Sequence, residues 1–509
     1  MANTIDSNCT ALHYAKEETI GVLPTTPVWK SLEPNSYEDF GAEITNVARE
    51  PINEGRQRKK GTVTDLDASG GFNIDQTQNN IDELLGGFFF APYVETAHTV
   101  GIDDVVDVTI TTIDNGTSTF QAASGLDVFA VDDLVLSSGN NDPANDGLFR
   151  LTTVTAGSVE VDGAVVDDVA PAATSALKKV GVELATGDVN LTASATLVQL
   201  TSTATDFTAL GLSVGQWIFV GGDAATTRFT TNGAFYARVA AITTNALNLE
   251  ELTITATTES GAGQDIRIFY GDYLYNRNTC DTIERCTFQF ERQLGDDGNG
   301  IQSEYLIGAT PNEFTLNFNT ADKLMADMNF MGLDTECRTG TEGIKTGTRV
   351  TNVCEEAINT SSNVFRIRMA IDDPNNVASP DLFAFVTEGT LTISNGVEPT
   401  KAIGTLGAFD VNAGDFEVGG EVTVYFDNVT AIKAVRNNSD VTFNVILAND
   451  NAGLIYDIPL MSLSDGRLNI EKDSPITIPL ENTAFENDKG YTLSYSKFAY
   501  LPTVAMPTS

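Results

Sequence analysis

The feature that most constrains the fold is that the chain resembles itself. "GAEITNVAREPIN" (41 to 53) is matched by "EGTLTISNGVEPT" (388 to 400), with Glu50-Pro51 on Glu398-Pro399, an offset of 348. "SGGFNIDQTQNNIDELL" (69 to 85) is matched by "VGGEVTVYFDNVTAIKA" (418 to 434), with Gly71 on Gly420, an offset of 349. In both copies a Gly-Gly leads into an alternating strand, followed by an Asn or Asp able to cap a helix. The expected helices run from Asn80 to about Phe90, through Ile81, Leu84, Leu85 and Phe88, and from Asn428 to about Asn437, through Val429, Ile432 and Val435. A third block, "TFQFERQL" (287 to 294), matches "TFNVILAN" (442 to 449) at an offset of only 155, so 349 − 155 = 194 residues interrupt the first copy. Beyond it "EYLIGATPNEFTLNF" (304 to 318) pairs loosely with "IYDIPLMSLSDGRLNI" (455 to 470), and "LMADMNFMG" (324 to 332) with "PITIPLEN" (475 to 482). Four matches in one order around a single gap read as a duplication.

The interruption holds a second repeat. "GLDVFAVDDLVLSSGNNDPANDGLFRLTTV" (125 to 154) resembles "GLSVGQWIFVGGDAATTRFTTNGAFYARVAAI" (211 to 242), Gly125 on Gly211 and Gly147 on Gly233, both at an offset of 86. Each copy has a Gly-Leu before a short apolar strand, then a loop ending in Asn-Asp-Gly or Asn-Gly before a Phe-led strand. "VDGAVVDDVAPAAT" (161 to 174) and "GDVNLTASAT" (187 to 196) are expected as linkers. The expected organisation is thus a first β fold with one helix in residues 1–91 and 281–355, two small β modules at about 110–180 and 195–270 within an insertion of 92–280, and a second copy of the fold in 356–509.

Composition agrees with an all-β chain carrying minor α. Thr, Asn, Asp, Gly and Val are plentiful, and apolar residues make up 41% of the 509, enough for packed cores. Alternation at Phe314, Leu316 and Phe318, at Val422, Val424 and Phe426, at Val441, Phe443, Val445 and Leu447, and at Ile476, Ile478 and Leu480 gives sheets with one apolar and one polar face. The start "MANTIDSNCTALHYAKEETIG" is polar, and the longest apolar run, near "GGFFFAPYV", is far short of a membrane span. The expectation is synthesis in a cytoplasm and no membrane. The cysteines, Cys9, Cys280, Cys286, Cys337 and Cys354, form no C-x-x-C pair and read as reduced thiols.

Motifs for chemistry are missing from the sequence. His13 and His98 are the only histidines, read as chance surface residues; "GDDGN" (295 to 299) and "DDVVD" (103 to 107) lack the spacing of a calcium loop, and neither G-x-x-x-x-G-K-[ST] nor G-x-S-x-G occurs. Met325, Met328 and Met331 read as core filling. The chain is expected to be no enzyme and to use no cofactor or metal, with carboxylate pairing of a glycosidase type left open by so acidic a composition.

Charge is the other constraint. Seventy acidic residues against 29 basic give a formal −41, a balance that repels free nucleic acid, yet Arg56, Arg58, Lys59 and Lys60 crowd into one short stretch, "EPINEGRQRKKGT" (50 to 62).

The N-terminal block "KEETIGVLPTTPVWKSLEPNSYEDFGAEITNVAREPINEGRQRKKGTVTDLDASGGFNIDQTQNNIDELLGGFFFA" (16 to 91) resembles the opening of tail tube proteins (major tail proteins) from long-tailed bacteriophages with non-contractile tails. "TFQFERQL", "MNFMG" and "LGAFDVNAGDFEVGGEVTVYFDN" (406 to 428) are similar to the middle and C-terminal parts of that family, so the resemblance spans about 1 to 92 and 281 to 500 and omits the insertion. It implies two packed β-sheets flanked by a helix, with neighbouring copies joining around a channel, and rings stacked into a virion tail tube through which DNA passes during ejection without specific binding. It also implies tail terminator, tape measure and tail-tip proteins as partners. With two folds per chain, three chains make a pseudo-sixfold ring; with one, six are needed. Three chains carry 3 × 41 = 123 formal negative charges, suited to an acidic lumen to which phosphates do not stick. Asp65, Asp67, Asp75 and Glu421 are the lumen candidates. The resemblance puts the basic loop, Arg56, Arg58, Lys59 and Lys60, against the adjacent ring, whereas the second copy offers only Lys401 there. The inserted modules are expected on the outside of the tube. The rival readings are another structural virion protein, a contractile-tail tube or a capsid decoration protein, and a carbohydrate-binding or hydrolytic β protein acting through the insertion; of the two tryptophans, Trp29 and Trp217, only Trp217 lies in the insertion.

Overall fold

The computed structural model describes residues 5–507 except 53, 56, 95–98, 101–107, 280, 281, 352–354 and 374–380. Arg56, His98, the acidic run at 103–107, Cys280 and Cys354 lie outside the described residues.

Eight strands build the sheet that matters for function: β1 (Pro34–Arg49), β2 (Lys59–Asp75), β3 (Ile301–Asn319), β4 (Met325–Gly332), β5 (Val386–Ser394), β6 (Glu417–Tyr425), β7 (Ala452–Asp465) and β8 (Thr477–Ala484). They pair antiparallel in the order β1-β2-β4-β3-β5-β6-β8-β7. The first four come from the first repeat and the last four from the second. The two quartets meet where β5 lies along the end of β3, from Glu313 opposite Ser394 to Asn319 opposite Glu388.

Each repeat then folds over itself. The first half of β3 leaves this sheet to pair with Phe288–Asp296, which pairs in turn with Ala11–Lys16. The first half of β7 does the same with Val441–Asn449, which pairs with Val364–Ile371. One apolar core fills the space between the two layers. In the first repeat Phe330 anchors it, with ring centroids 4.6 Å from Phe290, 5.3 Å from Phe88 and 5.9 Å from Phe72. Close packing explains the Gly-Gly of β2: a Cβ at Gly70 would stand 2.9 Å from the Phe40 ring.

A short helix follows β2 and β6 in turn. Helix α1 is Asp82–Phe89, with Asp82 and Glu83 favourably placed in its first turn. Helix α2 is Thr430–Asn437; the Asn428 side chain accepts from Thr430 N at 2.8 Å. Both end alike, on a left-handed residue whose N–H reaches back into the last turn: Phe90 (φ 47°) and Asn438 (φ 48°). The expected helices are thus present, each shorter at its N-terminus by two residues.

Register corrects two of the matches. Gly71 belongs with Asn73 and Asp75 on the polar side of β2, opposite Asn329, whereas Gly420 belongs with Val418 and Val422 on the core side of β6, opposite Leu391. An offset of 349 is therefore one residue out of phase, which in a strand exchanges the faces. The outer layer carries a register shift at Phe288/Phe290 in one repeat and at Val441/Phe443 in the other, which superposes Phe290 on Phe443 (443 − 290 = 153) in place of the expected 155. That two-residue difference leaves the faces unchanged.

Among the described residues the insertion contains two arrays that share one pairing order over six strands each, with a further short strand, Thr99–Val100 or Glu259–Ser260, paired to each. Ile110–Asp114, Thr119–Ala122, Ser158–Val161, Gly147–Thr155, Asp133–Ser138 and Ala176–Glu183 are neighbours in that sequence. Asn190–Ala193, Val198–Thr201, Ala246–Glu250, Phe235–Thr243, Trp217–Val220 and Arg267–Phe269 repeat it. Each array has its own apolar cluster, and the two join edge to edge through Ala176–Glu183 and Arg267–Phe269. The stretch 187–196, expected as linker, supplies the strand Asn190–Ala193 because Leu191 is fully buried there. The arrays pack on the outer layer of the second repeat: Trp217, Phe219, Tyr236 and Phe269 meet Ile446, Ile455, Phe498 and Leu501. They therefore stand on the side of the molecule away from the polar face of the eight-stranded sheet.

Candidate functional site: an acidic sheet face

In each of the eight strands one set of alternating side chains enters the core and the other forms an open face, and the register says which residues share it. One row crosses all eight strands: Ser36, Asn73, Asp327, Thr315, Thr392, Gly419, Thr483 and Ser462. The next row holds Asp75, Met325, Asn317, Thr390, Glu421, Glu481 and Ser464. On the other side lie Glu38, Gly71, Asn329, Glu313, Ser394 and Glu417. Carboxylates recur in every row, and no Lys or Arg occupies any of these positions.

Small polar side chains knit the face together. Asp327 accepts from Asn73 at 2.5 Å and from Asn317 at 2.6 Å, so its charge is held by amides instead of a cation. Thr315 and Thr392 hydroxyls meet at 3.2 Å across the joint between the repeats.

All four lumen candidates fall on this face, but their electrostatic situations differ. Asp65 and Asp67 alternate with Ser69 and Asn73 along β2, and both are bridged by Lys401 Nζ, at 2.7 Å and 2.5 Å. The hydrogen bond from Lys401 holds the Asp65 carboxyl below its usual range. Asp75 is bound by Lys323 at 2.7 Å and by Asn35 at 2.5 Å. Glu421 is exposed, with Glu481 directly opposite it. Its charge is not offset by a cation among the described residues. Asp327, Glu313, Glu417 and Glu481 were not among the candidates. Alternation within each strand marks them as polar, but only the pairing register puts them in line with Asp75 and Glu421.

The basic loop is a different place. Arg58, Lys59 and Lys60 lie exposed at the tip of the β1-β2 hairpin, where Lys59 pairs across to Arg49. The second repeat has a shorter counterpart, the pair Glu398–Lys401 and Ala408–Asn412, and this is the element that carries Lys401.

Several expectations about chemistry change. His13 is buried, 3.6 Å from the carboxylate of Glu291, and burial lowers its pKa, so it is a core residue and not a surface one. Met328 fills the core, whereas Met325 and Met331 are on the opposite side of β4. Trp29 and Trp217 are both fully buried. Among the described residues no group of three or more His, Cys, Asp and Glu is arranged to hold a metal, and no helix is long and apolar enough to cross a membrane.

Compared with known families, the chain is matched twice by the family described as phage tail tube protein, over residues 7–260 and again over 221–484. Comparison with curated proteins gives no match.

Proposed function

Because this chain belongs to the phage tail tube protein family, a structural component of the virion tail that assembles with itself into a tube, we propose that three copies close into a ring of six tube units, that rings stack, and that the acidic sheet face lines the channel crossed by DNA. The two units proposed per chain are residues 1–91 with 281–355, and residues 356–509.

The observation that carries this reading is the joint between the repeats. β5 of the second repeat lies along the end of β3 of the first, continuing one sheet from unit to unit. Among the described residues the equivalent edges at the two ends of the sheet are open: β1 pairs only with β2, and the end of β7, Ser462 to Asp465, pairs only with β8. Repeating the internal joint between chains pairs β1 of one chain with the end of β7 of the next, and closure after three chains gives a barrel of 3 × 8 = 24 strands with one continuous inner face, from the eight paired strands of each chain.

Glu313, Asp327, Glu421 and Glu481 would then face the channel. Phosphates passing such a wall find carboxylates and hydroxyls and no clustered cations, so contacts with the DNA backbone stay weak. The inserted modules, docked on the far layer, project outwards, and the reading assigns them no part in the channel.

Averaging electron micrographs of the purified protein, or of particles that contain it, tests this. Rings of three chains showing six similar inner lobes are expected; six chains per ring, or a chain that stays single at every concentration, would sink the reading.

A further inference from the structure

The hairpins that extend β1-β2 and β5-β6 are equivalent in the two repeats, and the shorter one is already engaged. Lys401 Nζ bridges Asp65 and Asp67 on β2. Val397 and Val411, which flank the same hairpin, pack with Met331 and Leu333 at the end of β4. The hairpin of one repeat therefore clasps the flank of the repeat beside it in the same sheet, cation to carboxylates and valines to the end of the neighbouring strand.

The corresponding flank of the second repeat, at the start of β6 and the end of β8, is open. A groove of about 480 Å³ lies there, bounded by Asp415, Phe416, Glu417, Thr483 and Phe485. Phe485 is 49% exposed, and Asp415 and Glu417 are exposed at its rim. The longer hairpin carries the complement. Arg49, Arg58, Lys59 and Lys60 are exposed and make no ion pair among the described residues, and Ile44, Val47 and Ile52 present apolar surface along the same arm.

We propose that the β1-β2 hairpin of one chain clasps this groove on the second repeat of the adjacent chain in the same ring, with Arg58, Lys59 and Lys60 set against Asp415 and Glu417. The internal contact is the precedent: the same hairpin, turned the same way, on the same flank of the next repeat. The occupant is a second copy of this chain, and its charge matches the groove. The inference rests on the ring reading above but redirects the basic loop from the adjacent ring, where the family resemblance put it, to the neighbour within the ring. It also gives the two hairpins different tasks. The Lys401 hairpin fastens the repeats of one chain, and the Arg58–Lys60 hairpin fastens chain to chain.

Charge reversal tests it. Lys59→Glu with Lys60→Glu should leave the melting of the single chain unchanged, because both side chains are exposed, but should replace closed rings with open arcs or single chains in micrographs taken at the wild-type assembly concentration. Asp415→Lys with Glu417→Lys should do the same from the other side. Combining all four substitutions should restore closed rings. Variants whose rings close in normal yield but stack into shorter tubes would overturn the proposal in favour of contact between rings, and so would failure of the fourfold combination to restore closure. Wild-type chains that never form rings would instead remove the ring reading on which it rests.

Discussion

Arg238 of the inserted modules points its guanidinium into the second repeat, with Nη1 3.0 Å from Oδ2 and 3.1 Å from Oδ1 of Asp457 on β7, while its Nε donates to Glu250 at 2.9 Å. The side chains are 6% and 0% exposed. An ion pair so completely withdrawn from water contributes little net energy while intact, because desolvation of both charges offsets their attraction, but breaking it leaves one charge stranded. Arg238→Met alone should therefore cost about 3–5 kcal/mol, and pairing it with Asp457→Leu should recover most of that loss. Urea unfolding of the four proteins of this double-mutant cycle measures it. A loss in the double variant equal to the sum of the two single losses would show that the two residues act independently.

The outer layer of the first repeat holds a comparable arrangement without the modules. Glu291 is fully buried; it accepts from Arg349 Nη2 at 2.5 Å, from the Tyr305 hydroxyl at 2.6 Å and from Gln293 at 2.7 Å. Burial acts to raise its pKa, but the hydrogen bonds from Arg349, Tyr305 and Gln293 outweigh burial and hold the carboxyl below the ordinary value of 4.5. A depressed folded pKa means that the folded state binds this proton less readily than the unfolded chain, so the stabilisation is complete above 4.5 and is lost as the pH falls through the folded value. Glu291→Gln should cost about 3 kcal/mol at pH 7, with the gap to wild type narrowing as the pH falls below the ordinary glutamate range. Thermal melts from pH 7 down to pH 3 measure it, and a gap independent of pH would contradict the assignment.

Phe330 stands where β2, β4, α1 and the outer layer converge, 1% exposed among Phe72, Phe88 and Phe290. Truncation leaves a cavity that the three surrounding rings cannot collapse to fill. Phe330→Ala should destabilise the chain by about 3–5 kcal/mol, and Phe330→Leu by clearly less. A loss under 1 kcal/mol in urea unfolding would show that this junction repacks freely.

How much of this was legible in the sequence depends on the range of the interaction. The helices were readable because their signals are local: an Asn before each, apolar residues at helical spacing, and a clear end. The duplication was readable from ordered matches, yet not its phase, since "GG" fits either parity and only the pairing of Gly71 with Asn329 and of Gly420 with Asn482 decides which side each occupies. Nothing local joins Arg238 to Asp457, 219 residues apart, and a buried arginine has the same alternation as an exposed one. Asp65 and Asp67 were readable as polar-face residues. That Lys401 bridges them was not, because the cation arrives from the other repeat.

Glu421 and Glu481 sit directly opposite each other on β6 and β8, both exposed, on the face assigned here to the channel. Like charges in that position oppose sheet pairing, so a protein selected for stability alone would not place them there. Glu481→Lys should turn repulsion into attraction and stabilise the single chain by roughly 0.2–1 kcal/mol. The same change should harm function. Glu421→Lys with Glu481→Lys shifts each chain by four charges and each ring of three by 3 × 4 = 12, putting ammonium groups where phosphates pass. Tubes of this variant should retain short duplex DNA at low salt and release it as salt rises, whereas wild-type tubes should retain none. Equal retention by both tubes would place these glutamates away from the channel.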